Sequence, residues 1–122
     1  MELSIDERGD VRVVHVKESK LTYPVLSSFF GEVRQLVEAG ARKVVIDLSA
    51  VSYIDSASIG CLMDIHRLMQ EREGEVRVAG LQPRVETMIS MTGVHKIVDI
   101  HHDLADAVLA FSATKDGGKS DA

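Results

Sequence analysis

The feature that most constrains the fold is a short run in the middle of the chain, residues 43–48 (KVVIDL). The run is rich in β-branched residues and almost continuously apolar, so it lacks the alternation expected of a strand with one solvent-exposed face. A strand of this kind lies inside a sheet that is covered on both faces. The chain must therefore pack helices or other layers against that sheet.

Strand and helix periodicities alternate along the rest of the chain. Residues 23–39 repeat apolar side chains at helical spacing, with Pro24 suited to the first turn and Gly40 to the C-terminal end. Further strands are predicted at residues 3–6, 11–16, 75–79 and 96–100, and further helices at residues 56–72, 83–91 and 104–111. Residues 17–22 and 49–55 are predicted to be irregular connections. The order β-β-α-β-α-β-α-β-α predicts an α/β fold with a single mixed sheet and helices packed against it.

Length and composition are those of one globular domain. The 122 residues suffice for one hydrophobic core, which we expect within residues 1–111. Residues 112–122 are small, polar and Gly-rich, so we expect a disordered C-terminal tail.

Charge and cysteine content restrict the environment and the partners. The net charge of −5 argues against direct nucleic-acid binding, which needs a basic surface, and favours protein partners. The single cysteine, Cys61, cannot form an internal disulfide, and its place on a helix suggests a buried apolar filler. The N-terminus does not resemble a signal peptide, and no apolar stretch approaches the length of a membrane span. We therefore expect a cytoplasmic location.

Residues 51–60 (VSYIDSASIG), between the buried strand and the next helix, are the most informative about function. Unpaired N–H groups at a helix start carry partial positive charge and favour an anion. Phosphorylation of Ser56 would add a charge of about −1.5 to −2 at this point. Ser and Asp before a helix are also ordinary N-caps, with Asp55 capping and Ser56 pointing outward. Position alone does not decide between these two interpretations.

Two motifs resemble the STAS domains of bacterial anti-sigma factor antagonists. The strand ending in Asp47-Leu48, followed by residues 51–56 (VSYIDS), resembles the family's "V-x-[YF]-[IM]-D-S" turn. Residues 91–97 (MTGVHKI) resemble its later "x-[ST]-G-[LV]-x-x-[IL]" segment. The resemblance covers residues 3–111 and implies the STAS fold, a sheet of four to five strands with helices mainly on one face. It also implies that Ser56 is the phosphorylation site.

The resemblance implies a binding protein that is not an enzyme and needs no cofactor. Unphosphorylated members of the family bind an anti-sigma factor, usually a GHKL-type serine kinase, and so release the sigma factor. The kinase disarms the antagonist by phosphorylating it, and a PP2C-type serine phosphatase restores it. The implied partner-binding residues form two segments: Lys20, Leu21, Thr22 and Tyr23, and Tyr53, Ile54, Asp55, Ser56, Ala57, Ser58 and Ile59.

The chain departs from the family pattern in two places. Ser58 and Ile59 replace the first Gly and the Leu of the usual "D-S-x-G-L-G". We expect the added Cβ of Ser58 to keep a partner further from the helix start, and its hydroxyl to be a second candidate for phosphorylation. Lys20 and Thr22 replace the acidic residues of the "G-E-[IL]-D" loop, a change of charge that affects partner choice and association rate.

Three other interpretations compete with a binding protein that is switched by phosphorylation of Ser56. A STAS domain can also be a docking subunit of a transport or lipid-trafficking complex, without phosphorylation. A hydrolase with Ser56 as nucleophile needs an oriented base and an oxyanion hole, and the sequence offers neither in recognisable form. Residues 101–103 (HHD) suggest a metal, but no other ligand pair completes the site, and Asp103 suits the cap of the last helix.

Overall fold

A computed structural model describes residues 1–111. The predicted tail, residues 112–122, lies outside the described residues. The strands are β1 (Leu3–Arg8), β2 (Val11–Val16), β3 (Lys20–Leu21), β4 (Lys43–Asp47), β5 (Tyr53–Ile54), β6 (Glu75–Ala79) and β7 (Asp99–His101). The helices are α1 (Tyr23–Glu38), α2 (Ser56–Glu71), α3 (Pro83–Thr92), a 3-10 turn (Val94–Lys96) and α4 (residues 104–111).

Five of the strands form one mixed sheet in the order β1-β2-β4-β6-β7. The hairpin β1–β2 is antiparallel, and every other pair in this sheet is parallel. The apolar strand β4 lies at the centre, as its sequence predicts. The predicted α/β fold with one mixed sheet of about four to five strands is therefore confirmed.

The two faces of the sheet are covered unequally. The larger core joins Val14, Ile46 and Val78 of the front face to buried side chains of α1, α2 and α3. On the rear face, Val13 and Val45 pack with Ala107 and Phe111 of α4. Most helices thus lie on one face, as the family resemblance implies, and α4 covers the other.

A buried charge lies under α4. Arg77 is 5% exposed and forms ion pairs with Glu75, at 2.7 Å, and with Asp99, at 2.9 Å. Its guanidinium carbon lies 5.0 Å from the centre of the Phe111 ring, a cation–π distance. The ion pairs compensate for the burial of the charge. The contact with Phe111 connects α4 to β6.

The sequence prediction is wrong in detail at the last strand. Residues 96–100 are not one strand, because Gly93 takes a left-handed φ of 80° and a 3-10 turn follows it. The chain enters the sheet at Asp99, where β7 begins. Two further strands, β3 and β5, were predicted as irregular, since two residues are too few to display alternation. Among the helices of residues 1–111, none has both the length and the apolar character needed to cross a bilayer.

Candidate functional site

The start of α2 is closed by a reciprocal cap between Asp55 and Ser58. Asp55 Oδ1 accepts a hydrogen bond from Ser58 N at 2.9 Å, and Asp55 N donates to Ser58 Oγ at 2.9 Å. This is a capping box with Ser in place of the usual Glu or Gln. Ser58 is 1% exposed, so its hydroxyl is inaccessible to a kinase. The capping bonds turn the Ser58 side chain inward, so Ser58, although among the residues predicted to bind a partner, has no side chain at the surface.

The same Asp55 carboxylate also reaches the start of α1. Its Oδ2 accepts a hydrogen bond from Tyr23 N at 3.0 Å, while Thr22, the N-cap of α1, makes no side-chain cap of its own. Desolvation alone would raise the pKa of Asp55. The hydrogen bonds from Tyr23 and Ser58 outweigh it and lower the pKa below its ordinary value of 3.8. The carboxylate is therefore held ionised between two helix N-termini.

The two segments with predicted binding residues lie side by side. Strands β3 and β5 pair in parallel, with Lys20 opposite Tyr53 and Leu21 opposite Ile54. Ser52 N also donates to Ser19 O at 2.8 Å. The sequence contained a weak indication that these segments are anchored, because Leu21 and Ile54 are aliphatic residues whose neighbours all carry a polar group; both side chains are buried. The small sheet fixes the loop of residues 20–23 against the start of α2.

Accessibility separates the predicted residues into two groups. Leu21, Ile54 and Ser58 are each 1% exposed and hold the loops in place, without a side chain at the surface. The residues that reach the surface wholly or in part are Lys20, Thr22, Tyr23, Tyr53, Asp55, Ser56, Ala57 and Ile59. Ser56, the first residue of α2, is exposed, and its hydroxyl makes no hydrogen bond to any other described residue. The two sequence interpretations therefore concern different residues and do not exclude each other: Asp55 caps α2, and Ser56 carries an accessible hydroxyl.

Two largely apolar depressions border α2, and Ser56 lines one of them. One, of about 500 Å³, lies between α1 and α2 and is lined by Tyr23, Pro24, Leu26, Ser27, Phe30, Ala57, Gly60, Cys61 and Asp64. The other, of about 200 Å³, lies between α2 and α3 and is lined by Asp55, Ser56, Ile59, Met88, Met91 and Thr92. We call the second the α2/α3 depression. Sequence reasoning missed Met88 and Met91 as part of the site, although Met91 is the first residue of the matched segment 91–97 (MTGVHKI).

The loop that leads to α2 is anchored at its beginning by Asp47. Asp47 Oδ1 accepts from Ser49 N at 3.0 Å, and His15 Nδ1 donates to Asp47 Oδ2 at 2.7 Å. Gln82 Nε2, at the start of α3, donates to Ser49 O at 2.9 Å. Desolvation raises the pKa of Asp47, and the bonds from Ser49 and His15 more than offset it, so the pKa lies below 3.8. His15 is therefore a structural partner of β4.

The remaining candidate residues have structural partners. Cys61 is buried, and desolvation together with Asp64 raises its pKa to about 11, which keeps the thiol protonated. His101 Nε2 accepts from the Arg77 guanidinium at 3.0 Å. Asp103 Oδ1 accepts from Asp106 N at 2.9 Å and so caps α4, as predicted. Within residues 1–111, no three His, Cys, Asp or Glu side chains are grouped closely enough to hold a metal ion.

Comparisons with known proteins concern the family and the fold of the domain. The sequence pattern of the STAS domain matches residues 2–107. The anti-sigma F factor antagonist of Paenibacillus polymyxa is 27% identical over 78 residues, which cover 61% of this chain and 67% of that protein. The structure of an anti-sigma factor antagonist from Mycobacterium paratuberculosis superposes with a TM-score of 0.81 at 23% identity, over 89% of this chain and 92% of that one.

The fold also occurs in a transport protein. The murine anion transporter Slc26a9 contains a region that superposes with a TM-score of 0.74 at 20% identity, covering 88% of this chain and 18% of the transporter. At this identity the likeness concerns the fold alone. The fold alone therefore does not distinguish an anti-sigma factor antagonist from a domain of a transporter.

Proposed function

The chain belongs to the STAS domain family and is related to anti-sigma factor antagonists, and on this premise we propose that it is the antagonist of a partner-switching pathway. Unphosphorylated, it binds an anti-sigma factor that is also a GHKL-type serine kinase. Phosphorylation of Ser56 releases it, and a PP2C-type phosphatase restores binding. The observation that supports this proposal is the exposed Ser56 hydroxyl, which has no hydrogen bond within residues 1–111 and lines the apolar α2/α3 depression.

The docking surface in this proposal consists of the exposed predicted residues and the rims of both depressions. Tyr23 is 75% exposed, Tyr53 42% and Met91 81%, so the proposed surface presents three large side chains whose apolar area a partner can cover. Aromatic residues and Met are enriched at the cores of protein interfaces. A partner that covers Ser56 would also bury these side chains and gain the hydrophobic free energy of that burial.

Phosphate at Ser56 changes docking much more than it changes the fold. The first-turn N–H groups of α2 carry partial positive charge and tolerate the phosphate, so the domain stays folded. The ionised Asp55 directly precedes Ser56 in the chain, and no described cation neutralises Asp55 by an ion pair. A docking partner would have to desolvate about two more negative charges beside it, which is costly without matched counter-charges.

The proposal assigns no catalytic group to this chain. The kinase supplies the phosphoryl donor and the phosphatase removes the phosphate, so Ser56 is a substrate side chain. In this proposal the chain acts in the cytoplasm, together with these protein partners. To be phosphorylated, the Ser56 hydroxyl must be accessible and must not be used to cap the helix. Ser56 is exposed, and Asp55 makes the cap.

The test is to map phosphate on the protein purified from its native cells. Intact mass and peptide mass spectrometry would be run over several growth conditions, with each GHKL-type kinase of the same genome titrated against the purified chain. We expect phosphate on Ser56 in some conditions, and binding of one kinase to the unphosphorylated form alone. Constant absence of phosphate, with good coverage of the Ser56 peptide, would contradict the switch and favour a constitutive docking subunit of a transport or lipid-trafficking complex.

A further inference from the structure

The methionines of this chain differ widely in exposure. Met91 is 81% exposed, whereas Met69 is completely buried and Met63 and Met88 are partly covered by the main core. Oxidants convert methionine to its sulfoxide, a polar and chiral side chain that disrupts Met-rich interfaces. Since an oxidant must reach the sulfur, the exposures predict that Met91 reacts ahead of the other internal methionines.

The exposed sulfur belongs to the surface proposed for docking. Met91, in the last turn of α3, and Ser56 line the same α2/α3 depression, with Met88 one turn earlier on α3. Asp55 is the one charged residue of the lining, and both its carboxylate oxygens are engaged by the helix caps. The depression therefore presents an apolar surface next to the Ser56 hydroxyl.

We propose that Met91 is an oxidation site through which peroxide controls partner docking independently of Ser56 phosphorylation. The inference rests on the function proposed above. In the reaction, the thioether sulfur attacks one oxygen of hydrogen peroxide, an S–O bond forms, the O–O bond breaks and water leaves. The sulfur is oxidised by two electrons and the peroxide is reduced, and a thiol-dependent methionine sulfoxide reductase reverses the change.

The sulfoxide acts on docking in the same way as the phosphate, with a smaller effect. Its S=O dipole must be stripped of water when a partner fills the depression, and the mostly apolar lining offers little to replace those hydrogen bonds beyond the Ser56 hydroxyl, which Ser56→Ala lacks. Two chemically different signals thus converge on one surface patch. A Ser56→Ala protein, which the kinase cannot modify, remains sensitive to peroxide.

The chemical step is tested on the full chain alone. The protein is treated with dilute hydrogen peroxide, and the sulfoxide content of each methionine peptide is followed over time. We expect Met91 to react first and Met69 last, in the order of exposure. Equal rates at these two positions would overturn the assignment of Met91.

The effect on docking is measured with the GHKL-type kinase that phosphorylates Ser56. We expect oxidised Ser56→Ala protein to bind this kinase about tenfold more weakly than the unoxidised protein, and sulfoxide reductase to restore the affinity. In a Met91→Leu background the oxidised and unoxidised affinities should be equal, whatever their starting value. Bound kinase should also protect Met91 from peroxide.

The outcomes separate this inference from the proposed function. If the unoxidised protein binds none of the kinases, the proposed function is overturned, and regulation of docking by oxidation fails with it. If the protein binds equally well before and after complete conversion of Met91 to the sulfoxide, only the regulation by oxidation is overturned. A loss of affinity that persists in Met91→Leu assigns the effect to another methionine, and the proposal for Met91 then fails.

Discussion

The Asp55 carboxylate accepts a hydrogen bond from the backbone N–H of Tyr23, 32 residues earlier in the chain, at 3.0 Å. Its other oxygen caps its own helix through Ser58 N at 2.9 Å. One side chain thereby sets the position of the α1 start relative to the α2 start. Since Tyr23 and Ser56 lie at these two helix starts, the carboxylate also fixes the shape of the proposed docking surface.

Removal of this carboxylate should destabilise the domain more than the loss of an ordinary cap. We expect Asp55→Ala to lower the free energy of unfolding by about 2 kcal/mol, because both helices lose a partner, and Asp103→Ala, which uncaps α4 alone, to lower it by about 1 kcal/mol. Urea denaturation followed by circular dichroism measures both. Equal losses would mean that the bond to Tyr23 contributes nothing.

Truncation of the two hydroxyls at the α2 start should affect stability to different extents. Ser58→Ala removes the acceptor of Asp55 N in a buried setting and should cost about 1 kcal/mol of stability. Ser56→Ala removes an exposed, unbonded hydroxyl and should change stability by less than about 0.5 kcal/mol. Denaturation curves of the two variants test this, and a larger loss in Ser56→Ala would refute the assignment of the cap.

A negative charge at Ser56 should weaken docking, and its position should matter. We expect Ser56→Glu to bind the kinase at least about tenfold more weakly than Ser56→Ala, as titration calorimetry would measure. The matched control is Ser28→Glu, which adds the same charge on an exposed position of α1 outside both depressions. If Ser28→Glu weakened binding as much, a general charge effect would explain the result.

The His15–Asp47 pair should give a pH-dependent contribution to stability. The pKa of Asp47 is lower in the folded protein than its ordinary value of 3.8, so the ionised form favours folding. This contribution is complete above pH 3.8 and is lost as the pH falls through the lower folded pKa. His15→Phe removes the donor at 2.7 Å, so the pKa of Asp47 should rise.

The stability deficit of His15→Phe should therefore be larger at about pH 7 than at about pH 3. Urea unfolding at the two pH values measures it, and carbon-13 NMR of the Asp47 carboxyl group follows the pKa directly. His66→Phe is the control, since His66 forms no ion pair with a carboxylate in residues 1–111. A deficit independent of pH would show that ring packing alone accounts for the loss.

Gly80 should not tolerate a side chain, whereas Gly31 should. Gly80 has a φ of 76°, and a Cβ there would lie 3.1 Å from both Asp47 Oδ1 and Ser49 Cβ. Gly80→Ala should lower the free energy of unfolding by about 2 kcal/mol because of the left-handed backbone conformation alone. Gly31 lies inside α1 with open space around it, so Gly31→Ala should raise the free energy of unfolding by about 0.5–1 kcal/mol. Thermal denaturation of the two variants compares them, and a stable Gly80→Ala would contradict the close approach of this turn to Asp47.

The sequence by itself determined the elements whose signals are local. The apolar run of β4, the stripe of α1 and the Asp-Ser step before α2 depend on side chains two to four residues apart, which periodicity and capping rules interpret directly. The motif around Ser56 likewise needed no contact between distant segments to be recognised.

Only the tertiary structure decided which of these residues face one another. The bond from Tyr23 to Asp55 crosses 32 positions, and the pairing of β3 with β5 and the presence of Met91 beside Ser56 are equally non-local. Such contacts follow from how α1, α2 and α3 pack on one sheet, a property of the whole core. Local spacing therefore identified Ser56 as a candidate, and the three-dimensional structure showed that Ser58 is buried in the cap whereas Ser56 is exposed beside Met91.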